Sequence, residues 1–97
     1  MKQLYVMQSD CVVDSRTYEK RDRADHQWLR DRWNNANAAL LANQDLAGLC
    51  ESFGATVERR QAGFGSIGVQ VPDGKVTEFH AAMRQQFPVY TVMTPSA

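Results

Sequence analysis

The stretch that decides the fold is GFGSIGVQVPDG, from Gly63 to Gly74. Gly63, Gly65 and Gly68 have the spacing of a dinucleotide-binding turn, in which glycines let the backbone approach a pyrophosphate at a helix N-terminus. Such a turn needs a strand before its first glycine and a helix opening at its last. Here the residues around Gly68 alternate: Ile67, Val69 and Val71 fall on one side and Ser66, Gly68 and Gln70 on the other, the period of a strand. Gly63 and Gly65 therefore belong to a hairpin loop, and Gly68 lies inside a strand, where it marks a bulge or a close approach by another backbone. Pro72-Asp73-Gly74 stops the strand and places Asp73 to cap the next helix.

Outward from this hairpin the periods switch in a fixed order. Ala55 to Arg60 alternates as the first arm, with Ala55, Val57 and Arg59 against Thr56, Glu58 and Arg60, and Gly54 suits the left-handed residue that closes a helix. Before it, Trp28, Leu29, Trp33, Ala36, Leu40 and Leu41, then Leu46, Leu49, Cys50 and Phe53, form one stripe at spacings of three and four. Asn43-Gln44-Asp45 predicts a kink or a restart, since Asn and Asp compete for backbone hydrogen bonds and favour caps. After the hairpin, Val76, Phe79, Met83 and Phe87 give a helix that Pro88 ends, and Val89 to Met93 reads as the last strand. Lys2 to Met7 is the first strand, with Leu4 and Val6 on one side and Tyr5 and Met7 on the other.

The expected order is β-α-β-β-α-β. Its fold class is α+β, a ferredoxin-like sandwich of a four-stranded antiparallel sheet with both helices on one face. One such domain spans residues 1–97, with a long charged connection at about 8–27 between the first strand and the first helix. If Leu4, Val6, Ile67, Val69 and Val71 face the helices, then Tyr5, Met7, Ser66, Gly68 and Gln70 point to the other side. No remaining element can fully cover that side, which makes it the candidate interaction face.

Composition narrows the partners. A 97-residue chain that is 43% hydrophobic supports one core and leaves no room for a separate cofactor domain, so no cofactor is expected. Eleven acidic and eleven basic side chains give a formal net charge of zero, without the electrostatic footprint that drives nucleic-acid or anionic-membrane binding. No stretch approaches the roughly 18 consecutive apolar residues of a membrane span, and MKQLYVMQSD has too short an apolar run for a signal peptide; a cytoplasmic protein is expected. Cys11 and Cys50 lack CxxC neighbours, which argues against a zinc knuckle and for reduced thiols.

From Leu46 onward, LAGLCESFGATVERR and then GFGSIGVQVPDGKVTEFHAAMRQQFPVYTV resemble the subtilisin-propeptide and proteinase-inhibitor family. The shared features are a helix closed by Gly54, a hairpin whose second arm ends in Val71-Pro72-Asp73, a second helix, and a terminal strand with Val89 and Val92. The resemblance implies a protein that packs the open face of its sheet against a subtilisin-like serine protease and lays its tail, Thr94, Pro95, Ser96 and Ala97, into the substrate cleft. Acting separately, it would be an inhibitor, a folding chaperone, or both. The sequence departs from the family in having Met93-Thr94 where acidic residues are usual, and in the long Asp10 to Leu41 stretch with Trp28 and Trp33.

A catalytic reading would pair Cys11 with His26 or His80 as nucleophile and base, but the spacing does not require them to meet. Glu19, Asp22, Asp25 and Asp31 are interleaved with arginines and Lys20, which fits ion pairs on a solvated helix face rather than a metal site. A non-enzymatic binder is thus the first expectation. A dimeric α+β-barrel enzyme or ligand-binding protein, formed by a homodimer stacked sheet to sheet, is the second.

Overall fold

Alternation in the hairpin and the first strand becomes two faces in register. In the computed structural model, which describes residues 1–12 and 23–95 and the side chains of the first helix from His26 onward, β1 (Lys2–Gln8) pairs antiparallel with β3 (Ile67–Val71). Leu4 stands opposite Val69 and Val6 opposite Ile67 on one face, Tyr5 opposite Gly68 and Gln3 opposite Gln70 on the other. With β2 (Thr56–Gln61) and β4 (Tyr90–Met93) they form one antiparallel sheet in the order β2-β3-β1-β4. Among the described residues three helices pack with it in an α+β arrangement: α1 (Arg23–Ala42), α2 (Gln44–Ser52) and α3 (Val76–Gln86). The expected charged connection at 8–27 is therefore shorter, because α1 already begins at Arg23; residues 13–22 lie outside the described residues.

The core sits between the sheet and the helices. Leu4, Val6, Ile67, Val69 and Val71 pack with Leu40 of α1, Leu46, Leu49 and Cys50 of α2, and Phe79 and Met83 of α3. Each large aliphatic side chain buried there stabilises the fold by about 1.5–3 kcal/mol relative to exposure. Asn43 ends α1 and starts α2: its backbone is extended, its Oδ1 accepts from the Leu46 N–H at 3.0 Å, and its Nδ2 donates to the Tyr90 hydroxyl at 2.9 Å, which ties the helix junction to β4. At the far end of α2, Gly54 takes φ +67° and the Gly54 and Ala55 N–H groups donate to the carbonyls of Glu51 and Cys50, closing the helix in a Schellman motif.

Two local expectations change. Asp73 does not cap α3; its carboxylate lies 3.2 Å from the Met1 amino group, and α3 instead grows out of a 3-10 turn over Asp73–Lys75. Gly68 does mark an irregularity, but the extra residues are on the facing strand. β2 pairs Val57 with Val69 and next Gln61 with Ile67, so the segment Glu58 to Arg60 spans the single Gly68.

The middle of α1 runs along two turns, Ser9–Cys11 after β1 and Gly63–Gly65 in the hairpin. Trp33 Nε1 donates to the Cys11 carbonyl at 2.9 Å, Arg32 pairs with Asp10, and the Trp33 ring meets Phe64 edge-on at 5.6 Å. Asn37, buried, donates from Nδ2 to the Ser66 carbonyl at 3.0 Å. Of the two tryptophans, Trp33 serves as the partly buried one and Trp28 remains 54% exposed, with the Arg32 guanidinium 5.4 Å from its ring centre.

Candidate interaction face

The face away from the helices is divided rather than uniformly bare. Tyr5 and Met7 of β1, Ser66 at the start of β3, Phe64 of the hairpin turn, and Met93, Thr94 and Pro95 after β4 surround a pocket of about 330 Å³, completed by Ala62 and Gly63. Register explains the gathering. Tyr5 lies opposite Met93 and Met7 opposite Thr91, so β4 delivers Met93 to the same face and the chain leaves the sheet beside the pocket. The other half of the face is polar: Gln70 Nε2 donates to Glu58 Oε1 at 3.3 Å, and the ends of Glu58 and Gln3 close over Gly68.

This corrects the simple expectation of an open face made of Tyr5, Met7, Ser66, Gly68 and Gln70. Tyr5, Met7 and Ser66 come together at the pocket; Gly68 and Gln70 do not. Met7 is only 3% exposed and Ser66 1%, so Tyr5, Phe64 and Met93 offer more of the accessible apolar surface. Gly68 is covered by the chain's own side chains and does not admit a partner. Sequence reasoning misses Phe64 because a position between two glycines reads as loop chemistry. Its backbone is left-handed (φ +60°), which turns the ring back between Trp33 and the pocket. The one available signal is a large aromatic between glycines in a short hairpin.

β4 ends at Met93. The Thr94 hydroxyl lies 3.4 Å from His80 Nε2, and Pro95 falls at a position where the ladder to β1 would need an N–H, which ends the strand. Ser96 and Ala97 lie outside the described residues.

Both cysteines are free thiols and buried. Burial pushes the Cys50 thiol up to about 11. Cys11 is raised as well, mainly by burial, with the nearby Arg32 acting in the opposite direction. The polar neighbours of Cys11 are Gln8 Oε1 at 4.0 Å and the Arg32–Asp10 pair, whereas His80 sits on α3 beside Thr94. Among the described residues no group of three His, Cys, Asp or Glu side chains could hold a metal ion. Asp31 accepts from Gln27 Nε2 at 2.9 Å across one helical turn, a surface contact. No helix among the described residues is long and apolar enough to cross a membrane.

The Cys50 shift has a sign that can be measured. The fold favours the neutral thiol, so this contribution to stability is complete below the ordinary cysteine value of 9.0 and is lost as pH rises through about 11. Urea midpoints should fall over that window, and a Cys50→Ala variant, less stable at neutral pH, should show a shallower fall. Parallel slopes in the two proteins would refute the assignment.

No protein-family model, curated protein or solved structure matches the chain. The functional reading therefore rests on the face and its tail.

Proposed function

We propose that this chain is a ferredoxin-like, propeptide-like binder of a subtilisin-like serine protease, acting as an inhibitor, a folding chaperone, or both. The strand order β2-β3-β1-β4, with the main hydrophobic cluster between the sheet and the helices, supports the split βαβ form. The observation that carries the functional reading is the convergence of Met93, Thr94 and Pro95 with Tyr5 and Met7 around one pocket. A polypeptide seated on that face meets the outgoing tail directly, and an extended tail joins a cleft edge through main-chain hydrogen bonds while side-chain pockets supply specificity.

The test is inhibition of peptide hydrolysis by a panel of bacterial subtilases. The full chain should inhibit at least one of them, and deletion of Thr94 to Ala97 should abolish inhibition while the far-ultraviolet spectrum is unchanged. Inhibition that survives the deletion removes the tail from the mechanism. Failure of the full chain against the whole panel removes the protease.

The pocket itself favours a second reading. Its roughly 330 Å³ volume, with the side chains of Tyr5 and Ser66 among apolar neighbours, suits a small ligand enclosed by two stacked sheets, as in a dimeric α+β barrel. Sedimentation separates the two: a stable dimer that Tyr5→Glu dissociates supports the barrel, and a monomer supports the binder.

A further inference from the structure

The two edges of the sheet are protected differently. β2 exposes Arg59 and Arg60 along an irregular register, charges and a bulge being the devices that block strand addition. The opposite edge, Tyr90-Thr91-Val92-Met93, carries no charge and keeps regular pairing with β1. The Ser9 N–H donates to the Val89 carbonyl at 3.0 Å, which fixes Met7 with Thr91 and Tyr5 with Met93 as the hydrogen-bonded pairs. The N–H and C=O of Val92 and the C=O of Tyr90 consequently point away from β1. The Tyr90 N–H is already used by the Phe87 carbonyl at 3.0 Å.

Beside this edge runs a groove of about 280 Å³ between β4 and α3, lined by His80, Met83, Arg84, Tyr90 and Val92. His80 and Arg84 are one helical turn apart on the flank of α3 that faces the groove. Among the described residues Arg84 makes no ion pair. A row of unpaired backbone groups flanked by a cation is complementary to an extended chain that brings its own carboxylates.

We propose that the free edge of β4 is a strand-addition site for an extended peptide with acidic side chains on alternate residues, its carboxylates meeting Arg84 and His80 in the groove. A second copy of this chain fits less well. Twofold pairing of two β4 edges would set the two α3 helices side by side and oppose Arg84 and His80 of each copy to the same groups of the other. The site is an edge and a groove that adjoin the tail of the proposed function, since Thr94 lies 3.4 Å from His80 Nε2, but its readout at Arg84 does not depend on that reading.

The probe is a fluorescein-labelled peptide of alternating aspartate and valine, with an alternating lysine and valine peptide as its control, titrated with the full chain in an anisotropy assay. The aspartate peptide should bind and the lysine peptide should not. Val92→Pro removes the outward N–H but leaves the hydrogen-bonded pairs with β1 intact, and should weaken binding roughly tenfold or more. Arg84→Glu, on the exposed helix flank, should weaken it about as much and shift preference toward the lysine peptide; it keeps the test decisive if Val92→Pro disturbs folding. Equal binding of the two peptides, no binding at millimolar protein, or unchanged affinity in Arg84→Glu overturns the proposal. So does a wild-type dimer in sedimentation that the neutral Arg84→Gln strengthens, since the edge would then belong to a second copy.

Discussion

Gly65→Ala is expected to destabilise the protein by about 3 kcal/mol or more, a large part of the 5–15 kcal/mol that holds a domain of this size. Two costs combine. Gly65 has φ +71°, a left-handed conformation that adds about 1 kcal/mol or more for any residue with a Cβ. The added methyl would also stand 2.8 Å from the Trp33 Cα and collide with the Trp33 carbonyl oxygen. Those atoms are helix backbone and cannot rotate aside. Relief requires the hairpin turn to lift from α1, which breaks the Trp33–Phe64 contact and the bond from Asn37 to the Ser66 carbonyl. Gly68→Ala is the internal control. Its methyl would crowd Glu58 Oε2 at 2.6 Å and Gln3 Nε2 at 2.8 Å, but these are the far ends of flexible side chains and can swing away, for a cost of about 1 kcal/mol or less. Urea unfolding of both variants checks the ranking; equal midpoints would mean that α1 does not clamp the turn.

The contrast between these two glycines shows where sequence reasoning holds. Alternation in Leu4 to Met7 and Ile67 to Val71 defines the strands and their core face because a period of two leaves only two choices of side. Asn43 and Gly54 are legible for a similar reason: a cap and a left-handed closure are local devices, and the residues that perform them are few. Asp73 shows the limit, since it makes no capping bond to α3 although its residue type and place suit one. The seat of α1 on the hairpin turn is not legible at all. Trp33, Asn37, Phe64 and Gly65 are about thirty residues apart in pairs, and nothing in a helical stripe says which turn it will meet. The sidedness of the candidate face is legible through Tyr5, Met7 and Ser66, but its depth is not. Whether a position on the second face is open depends on what the hairpin turn and Glu58 cover.

Phe79→Ala should cost about 3–5 kcal/mol and leave the variant barely folded at room temperature. Phe79 is fully buried on α3, edge-on to Phe53 at 5.7 Å, within the cluster that joins Leu4, Val69 and Leu46. The cavity cannot easily close. Sheet positions on one side are held by the β1–β3 ladder, and Phe53 on the other is held by the hydrogen bonds that close α2 before Gly54. Phe79→Leu, which refills most of the volume, should recover a large part of the loss, whereas a deficit equal to that of alanine would mean that ring packing against Phe53 outweighs volume. Because Phe79 lies behind the sheet and Tyr5, Met7 and Met93 in front of it, the leucine variant separates stability from binding. Held cold enough to be folded, it should inhibit or bind a partner as the wild type does. A folded Phe79→Leu protein that had lost partner binding would place the functional surface on the helix side, and the sheet face would then have to be abandoned.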